Sequence, residues 1–256
     1  MTDLTICAAQ YAAVAGQLTA NIDRHAQFMR HAAQQGVNFL LFPELSLTGY
    51  EPSLARELAQ APDANVLQSL RTLATELAMT TVVGLPLRSS DSESVMIGAL
   101  VFAADGSQLI YEKQHLHPGE DVVFTAGHGG DLLCVEATRI ALSVCADFAH
   151  PSHPRAAAHA GAGIYASSVL ISDNGYAHDS NVLQACAAEH SMAVLMANHG
   201  GPSGGWACAG RSAMWAPGGT LVARASGTGD CLVIARRRKG VWHGEVMEFS
   251  NGLCVG

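Results

Sequence analysis

The sequence predicts a layered α/β sandwich built as one domain. Strand-like and helix-like stretches alternate almost throughout the chain. The strand-like stretches are apolar on both alternating faces, as expected for sheets covered on both sides. No Pro-, Gly- or Ser-rich linker and no break in composition divides residues 1–256, so a single domain accounts for the whole length. At 256 residues the chain is long enough to bury a sizeable core.

Each element has its own signal. Residues 4–11 (LTICAAQY) read as a first strand, and residues 18–35 as a helix with Gly36 placed to cap its end. NFLLFPE at 38–44 is a buried strand that Pro43 ends. Residues 63–79 read as a second helix with Asp63 as N-cap after Pro62. TTVVGLPL, SVMIGALVFAA and SQLIYEKQHL follow as strands, the last two joined by a hairpin turn at Asp105-Gly106. Beyond a loop at 117–130 come DLLCVEA and RIALSVCAD, a short helix at 152–160, strand 164–171, a helix at 178–190 and strand MAVLMAN. The last third reads as strands WACAGRSAMWAP, TLVARA, DCLVIARR and VWHGEVME, with a turn at Pro217-Gly218-Gly219.

About half the residues are apolar, only 14% are charged, and the formal net charge is −8. That composition excludes a disordered chain and gives no electrostatic reason to bind nucleic acid or an anionic membrane. The short basic run Arg236-Arg237-Arg238-Lys239 reads as a solvated strand end or turn. The N-terminus lacks the pattern of a secretory signal, and no apolar run approaches a membrane span of about 18 residues. The seven cysteines, including Cys254, are irregularly spaced with no CxxC. A reduced, cytoplasmic protein is the expectation.

Four residues carry candidate chemistry. Cys145 ends an apolar strand just before a short predicted helix, where a thiol can have a lowered pKa and an exposed sulfur. The backbone N–H of Ala146 would then face an oxyanion. Glu44 ends an apolar run, where low-dielectric surroundings raise a carboxylate's pKa and make it a workable general base. Lys113 shares a strand face with Tyr111, and Glu120 follows seven residues on as a carboxylate able to orient the ammonium. Taken singly each has a plainer reading: a structural cysteine, a loop or helix-terminal carboxylate, an exposed hairpin lysine, a loop acid.

Taken together they resemble the nitrilase superfamily of carbon–nitrogen hydrolases over nearly the whole chain. The general-base pattern stands as Pro43-Glu44 and Leu47-Thr48-Gly49-Tyr50, and the lysine pattern as Tyr111, Lys113, His115 and Leu116. The second-glutamate pattern stands as Glu120, Phe124 and Gly127, and the nucleophile pattern as Cys145, Asp147, Pro151 and Arg155. A late pattern stands as Gly210, Ser212, Pro217 and Gly219. Two places depart: Ala146 where many members carry Tyr or Glu, and His150-Pro151-Ser152 where many carry Phe-Pro-Glu.

The resemblance implies a four-layer αββα sandwich that pairs through its sheets as a homodimer or higher even-numbered oligomer. It implies Glu44 as base, Cys145 as nucleophile, Lys113 and the Ala146 N–H as oxyanion donors, and Glu120 as the group that positions Lys113 and Glu44. No cofactor is expected. The expected substrate is a small amide or ω-amide that releases ammonia. An N-carbamoyl amidohydrolase using the same residues, a non-catalytic binding member and a metal-dependent hydrolase are the alternatives.

The 12 histidines raise the question of metal, through His115 and His117 or through His150, His153 and His159, but none shows the spacing of a zinc motif and no catalytic metal is expected. Cys186 and His190 lie four apart on a predicted helix without an oxyanion site or orienting group. GGPSGG at 200–205 lacks the ending of a phosphate loop and reads as a turn. Tyr50, Asn198, His199 and Trp206 follow strands in loops and are candidate pocket residues.

Overall fold

The computed structural model describes residues 3–88 and 94–249. Cys254 lies outside the described residues. In chain order the elements are β1 (Leu4–Gln10), α1 (Leu18–Gln34), β2 (Phe39–Leu41), α2 (Ala55–Leu58), α3 (Gln68–Glu76), β3 (Thr80–Arg88), β4 (Val95–Phe102) and β5 (Gln108–Glu112). There follow β6 (Leu133–Val135), β7 (Thr138–Val144), α4 (Ser152–His159), β8 (Ile164–Val169), α5 (Tyr176–His190), β9 (Ala193–Asn198) and β10 (Ala213–Trp215). The last three are β11 (Leu221–Arg224), β12 (Cys231–Arg238) and β13 (Val241–Glu248).

The strands form two sheets, ordered β13-β12-β1-β2-β3-β4-β5 and β11-β10-β9-β8-β7-β6. The alternation of each strand explains the layers. On β1, Leu4, Ile6 and Ala8 face the core between the sheets, while Cys7 and Ala9 join the core under α1 and α3. On β9, Ala193, Leu195 and Ala197 face inward, while Val194 and Met196 meet the α5 side. Three apolar layers therefore separate helices, sheet, sheet and helices, which is the αββα sandwich. Helix α1 covers its sheet with Ile22, His25, Phe28, Met29 and Ala32, at the helical spacing of three and four residues. Gly36 follows α1 at φ +68°, the left-handed conformation that ends a helix without a Cβ clash.

Some elements differ from the sequence expectation. The helix predicted at 63–79 is a 3-10 turn at Asn65–Leu67 followed by α3, and Asp63 makes no cap. Helix α2 was not predicted, and the strand predicted at 206–217 shrinks to β10. The basic run is not wholly solvated. Arg237 is only 7% exposed, donates to Thr138 Oγ1 at 2.6 Å and lies over the Trp242 ring. Alternation within β12 turns it inward, where its long stem packs and its guanidinium finds partners. No described helix is long and apolar enough to cross a membrane.

Candidate active site

Glu44 follows β2 on a segment pinned from all sides. The Tyr11 hydroxyl donates to Ser46 O, and Ser46 Oγ accepts from Gly84 N at 3.0 Å. Gly84 has to be glycine here: a Cβ would lie 2.5 Å from Leu45 N and 2.6 Å from Pro43 O. Burial lowers the His25 pKa to about 3, so its imidazole is neutral; it bridges Asn21 O and Ser46 Oγ and stacks on Phe42. From the other sheet, Ser168 Oγ donates to Phe42 O at 2.8 Å and His199 Nε2 donates to Glu44 O at 2.7 Å. The carboxylate at the end of this segment is 1% exposed.

Lys113 leaves β5 with its N–H on Ile97 O and its carbonyl accepting from Gly127 N. Its Nζ reaches Glu44 Oε1 at 2.7 Å and the Glu120 carboxylate at 2.8 Å. Lys113 is fully buried, so each charge depends on the others for compensation. Burial by itself would lower the ammonium's pKa, but the negative charge of Glu44, Cys145 and Glu120 outweighs it and the net shift is upward. Glu120 opens a 3-10 turn after Gly119 and is fixed by the Tyr50 hydroxyl at 2.8 Å and by His117 N at 2.7 Å.

Burial raises the Glu44 pKa to about 7, against the opposing pull of Lys113. Its Oε2 is buried with no hydrogen-bond partner within normal distance, and the Cys145 thiol is the remaining donor acting on this carboxylate. An unsatisfied buried acceptor beside a thiol is a proton acceptor held ready.

Cys145 follows β7 with φ +43°, in the left-handed region that a non-glycine residue enters at a cost of about 1–3 kcal/mol. A 3-10 turn (Cys145–Ala149) starts there, and helix α4 begins only at Ser152. The expected lowering of the thiol pKa is not found. Burial and the Glu44 carboxylate push it well up, and Lys113 only partly offsets them. No long helix dipole reaches the sulfur, so the thiol stays protonated until a base takes its proton.

Asp147 is the residue whose importance the sequence did not reveal beyond its place in a motif. It is fully buried and accepts from Val144 N, Tyr111 Oη, Gln114 N, His115 N and His115 Nδ1 at 2.7 to 3.1 Å. One carboxylate thus ties the cysteine turn to the segment that carries Lys113. His153 completes the tie between Tyr111 and Tyr165 hydroxyls. Asp147→Ala would leave these amides without an acceptor, so we expect a loss of about 3–5 kcal/mol, read as a fall in Tm, together with lost activity. A variant with wild-type Tm would contradict this role.

Glu44, Glu120, Cys145 and Ala146 line one cavity of about 370 Å³, within the range of small-molecule sites. Lys113 is packed behind the two glutamates and is not among the lining residues. Tyr50 and Trp206 do line the cavity. The GGPSGG turn brings them there: Ser203 Oγ accepts from Tyr50 N at 2.8 Å, and Gly204 packs so tightly on the Tyr50 carbonyl that a Cβ would overlap it.

Asn198 and His199 do not line the cavity. Both are fully buried: Asn198 bonds Ile171 N, Ile171 O and Gly210 O, and His199 supports Glu44 from behind. They hold the frame of the site. The lining residues Ser172 and Asp179 were not singled out from the sequence and no motif marks them, while His117, weighed there only as a metal ligand, also lines the cavity. Among the described residues no group of three or more His, Cys, Asp or Glu side chains could hold a metal ion. His115 is committed to Asp147 and stacks on His150.

The cavity thus sets the Cys145 thiol beside the buried Glu44 carboxylate, which Lys113 pairs from behind. The carbon-nitrogen hydrolase family model matches residues 5–242, and the chain belongs to that family. Among solved structures it is similar to the amidase from Nesterenkonia sp. AN1, with TM-score 0.84, 27% identity, and 91% of this chain and 90% of that one covered. In that structure the acetamide moiety of fluoroacetamide is added covalently at the active-site cysteine. A second variant of the same amidase, in complex with butyramide, matches with TM-score 0.84 at 26% identity over 91% of this chain and 90% of that one. A hydrolase encoded in the pqqF 5′ region of Pseudomonas protegens is 28% identical over 84% of this chain and 75% of its own length. The protein is a carbon–nitrogen hydrolase of the nitrilase superfamily.

Proposed function

We propose that the protein is an amidase that hydrolyses small linear amides through a Cys145 thioester. The observation that carries this reading is the Lys113 ammonium held between Glu44 and Glu120 behind the Cys145 cavity. Glu44 Oε2 takes the thiol proton as Sγ attacks the amide carbon. The oxygen becomes an oxyanion held by the Ala146 N–H and by the third N–H of Lys113, the two others being held by the glutamates. The amide of Ala146 is free for this because the first amides of a helical turn have no partner inside it.

Collapse breaks the C–N bond, and protonated Glu44 gives its proton to the departing ammonia. Glu44 then takes a proton from water, which attacks the thioester; the acid leaves and the thiol is restored. Glu120 and Tyr50 hold Lys113 in place through each step. The solved relatives with butyramide and the acetamide moiety support a small acyl group.

The test is ammonia release from short aliphatic amides, set beside nitriles, N-carbamoyl compounds and ω-amides, across pH. Short amides should lead. Protonated Glu44 cannot accept the thiol proton, so kcat/KM should fall as pH drops through about 7. Release only from nitriles or N-carbamoyl compounds would overturn the substrate class. A profile flat down to the ordinary carboxylate range would overturn the role of Glu44.

A further inference from the structure

The cavity that leads to Cys145 holds a third carboxylate, which the mechanism above does not use. Asp179 lies in the first turn of α5 and lines that cavity. Glu44 and Glu120 are both paired with Lys113. Asp179 has no side-chain hydrogen bond or ion pair among the described residues; the neighbouring groups that act on its charge are the imidazoles of His178 and His117. It is half-buried, so water screens it less than a surface acid.

No arginine or lysine is among the residues that line the cavity. A substrate carboxylate would therefore enter beside an acid, and the Lys113 ammonium behind the cavity is already paired with Glu44 and Glu120. Trp206 and Tyr50 line the same cavity, and Trp206 is 48% exposed. Aromatic faces attract cations through the ring quadrupole. The chain's net charge of −8 acts in the same direction at long range.

We propose that Asp179 is a specificity residue that receives a substrate ammonium group, so that the preferred substrates are small linear amides carrying a positively charged amine. This rests on the amidase reading above and narrows it. It sets amino-substituted amides ahead of neutral amides, and neutral amides ahead of ω-amides that end in a carboxylate. An acid in a first helical turn also complements the helix dipole. That role bears on stability and leaves the choice between two substrates of equal size untouched.

The test compares 4-aminobutanamide, pentanamide and succinamate as substrates of the whole protein. Wild type should favour 4-aminobutanamide over pentanamide by about tenfold or more in kcat/KM, a difference of about 1.4 kcal/mol. Succinamate should be the poorest of the three. In Asp179→Asn the ratio of the first two should collapse toward one, and Asp179→Glu should restore part of it. Equal turnover of the two, or a preference for succinamate, would overturn the proposal and leave the amidase reading standing. A preference that survives in Asp179→Asn would move the recognition elsewhere and also overturn it. No hydrolysis of any of the three, with none of the simpler amides turned over either, would instead remove the amidase reading and this inference with it.

Discussion

Cys145→Ala is expected to lower turnover by about 10⁴-fold or more while leaving the fold intact, measured as ammonia release beside a thermal melt. The size follows from the role. Without sulfur there is no covalent intermediate, and no other described thiol lines the cavity. The stability cost should be small. Apart from its action on the Glu44 carboxylate the thiol makes one weak hydrogen bond, to Leu170 O at 3.6 Å, and alanine faces the same backbone strain at φ +43° as cysteine does. Cys145→Ser should be nearly as inactive, because the Glu44 carboxylate is too weak a base for an alcohol. Near-normal activity in the alanine variant would remove the thiol from the mechanism.

Lys113→Met should have two large effects at once. Loss of an oxyanion donor lowers kcat by roughly 10²–10³-fold. Loss of the ammonium also leaves Glu44 and Glu120 buried with no opposing charge, and breaking such a pair from one side costs about 3–5 kcal/mol. In a chain of this size each kcal/mol is worth about 2–4 °C, so Tm should fall by roughly 10 °C. The pH dependence identifies the cause. Without the opposing pull of Lys113 the buried Glu44 carboxylate holds its proton still more tightly in the folded state than in the unfolded one. Stability is then present at low pH and lost as pH rises. Glu44 already contributes in this sense in the native protein, its pKa being raised to about 7, so the variant should lose stability with rising pH more steeply than wild type. A variant that keeps both kcat and Tm would show that Lys113 is neither an oxyanion donor nor the counter-charge of the site.

The parts of this site that could be read from the sequence are those where chemistry interrupts a pattern. Glu44 and Cys145 follow apolar strands, where such a group stands out against its neighbours, whereas Lys113 follows the mixed strand QLIYE and was legible only through its motif. Strand alternation likewise predicted the layers, because both faces of β1 and β9 are apolar. What stayed hidden depends on distant partners. Asn198 and His199 carry polar side chains beyond a strand, which suits a pocket as well as a frame; only their bonds to Ile171, Gly210 and Glu44 decide for the frame. The raised thiol pKa of Cys145 comes first from burial that no local window reports, and then from Glu44, 101 positions away in the chain. Asp147 looks like any motif acid until its five donors, from two segments, are seen together. Asp179 sits in a helix whose pattern gives no sign that its first turn faces a cavity.

The account turns on a covalent bond to one sulfur. Its most direct test is intact-mass spectrometry of the protein quenched during turnover of a good amide, followed by peptide mapping. The expected result is a mass gain equal to the acyl group, placed on the Cys145 peptide and absent in Cys145→Ala. Steady ammonia release with no adduct in the wild type, and with activity kept in the alanine variant, would contradict the thioester mechanism.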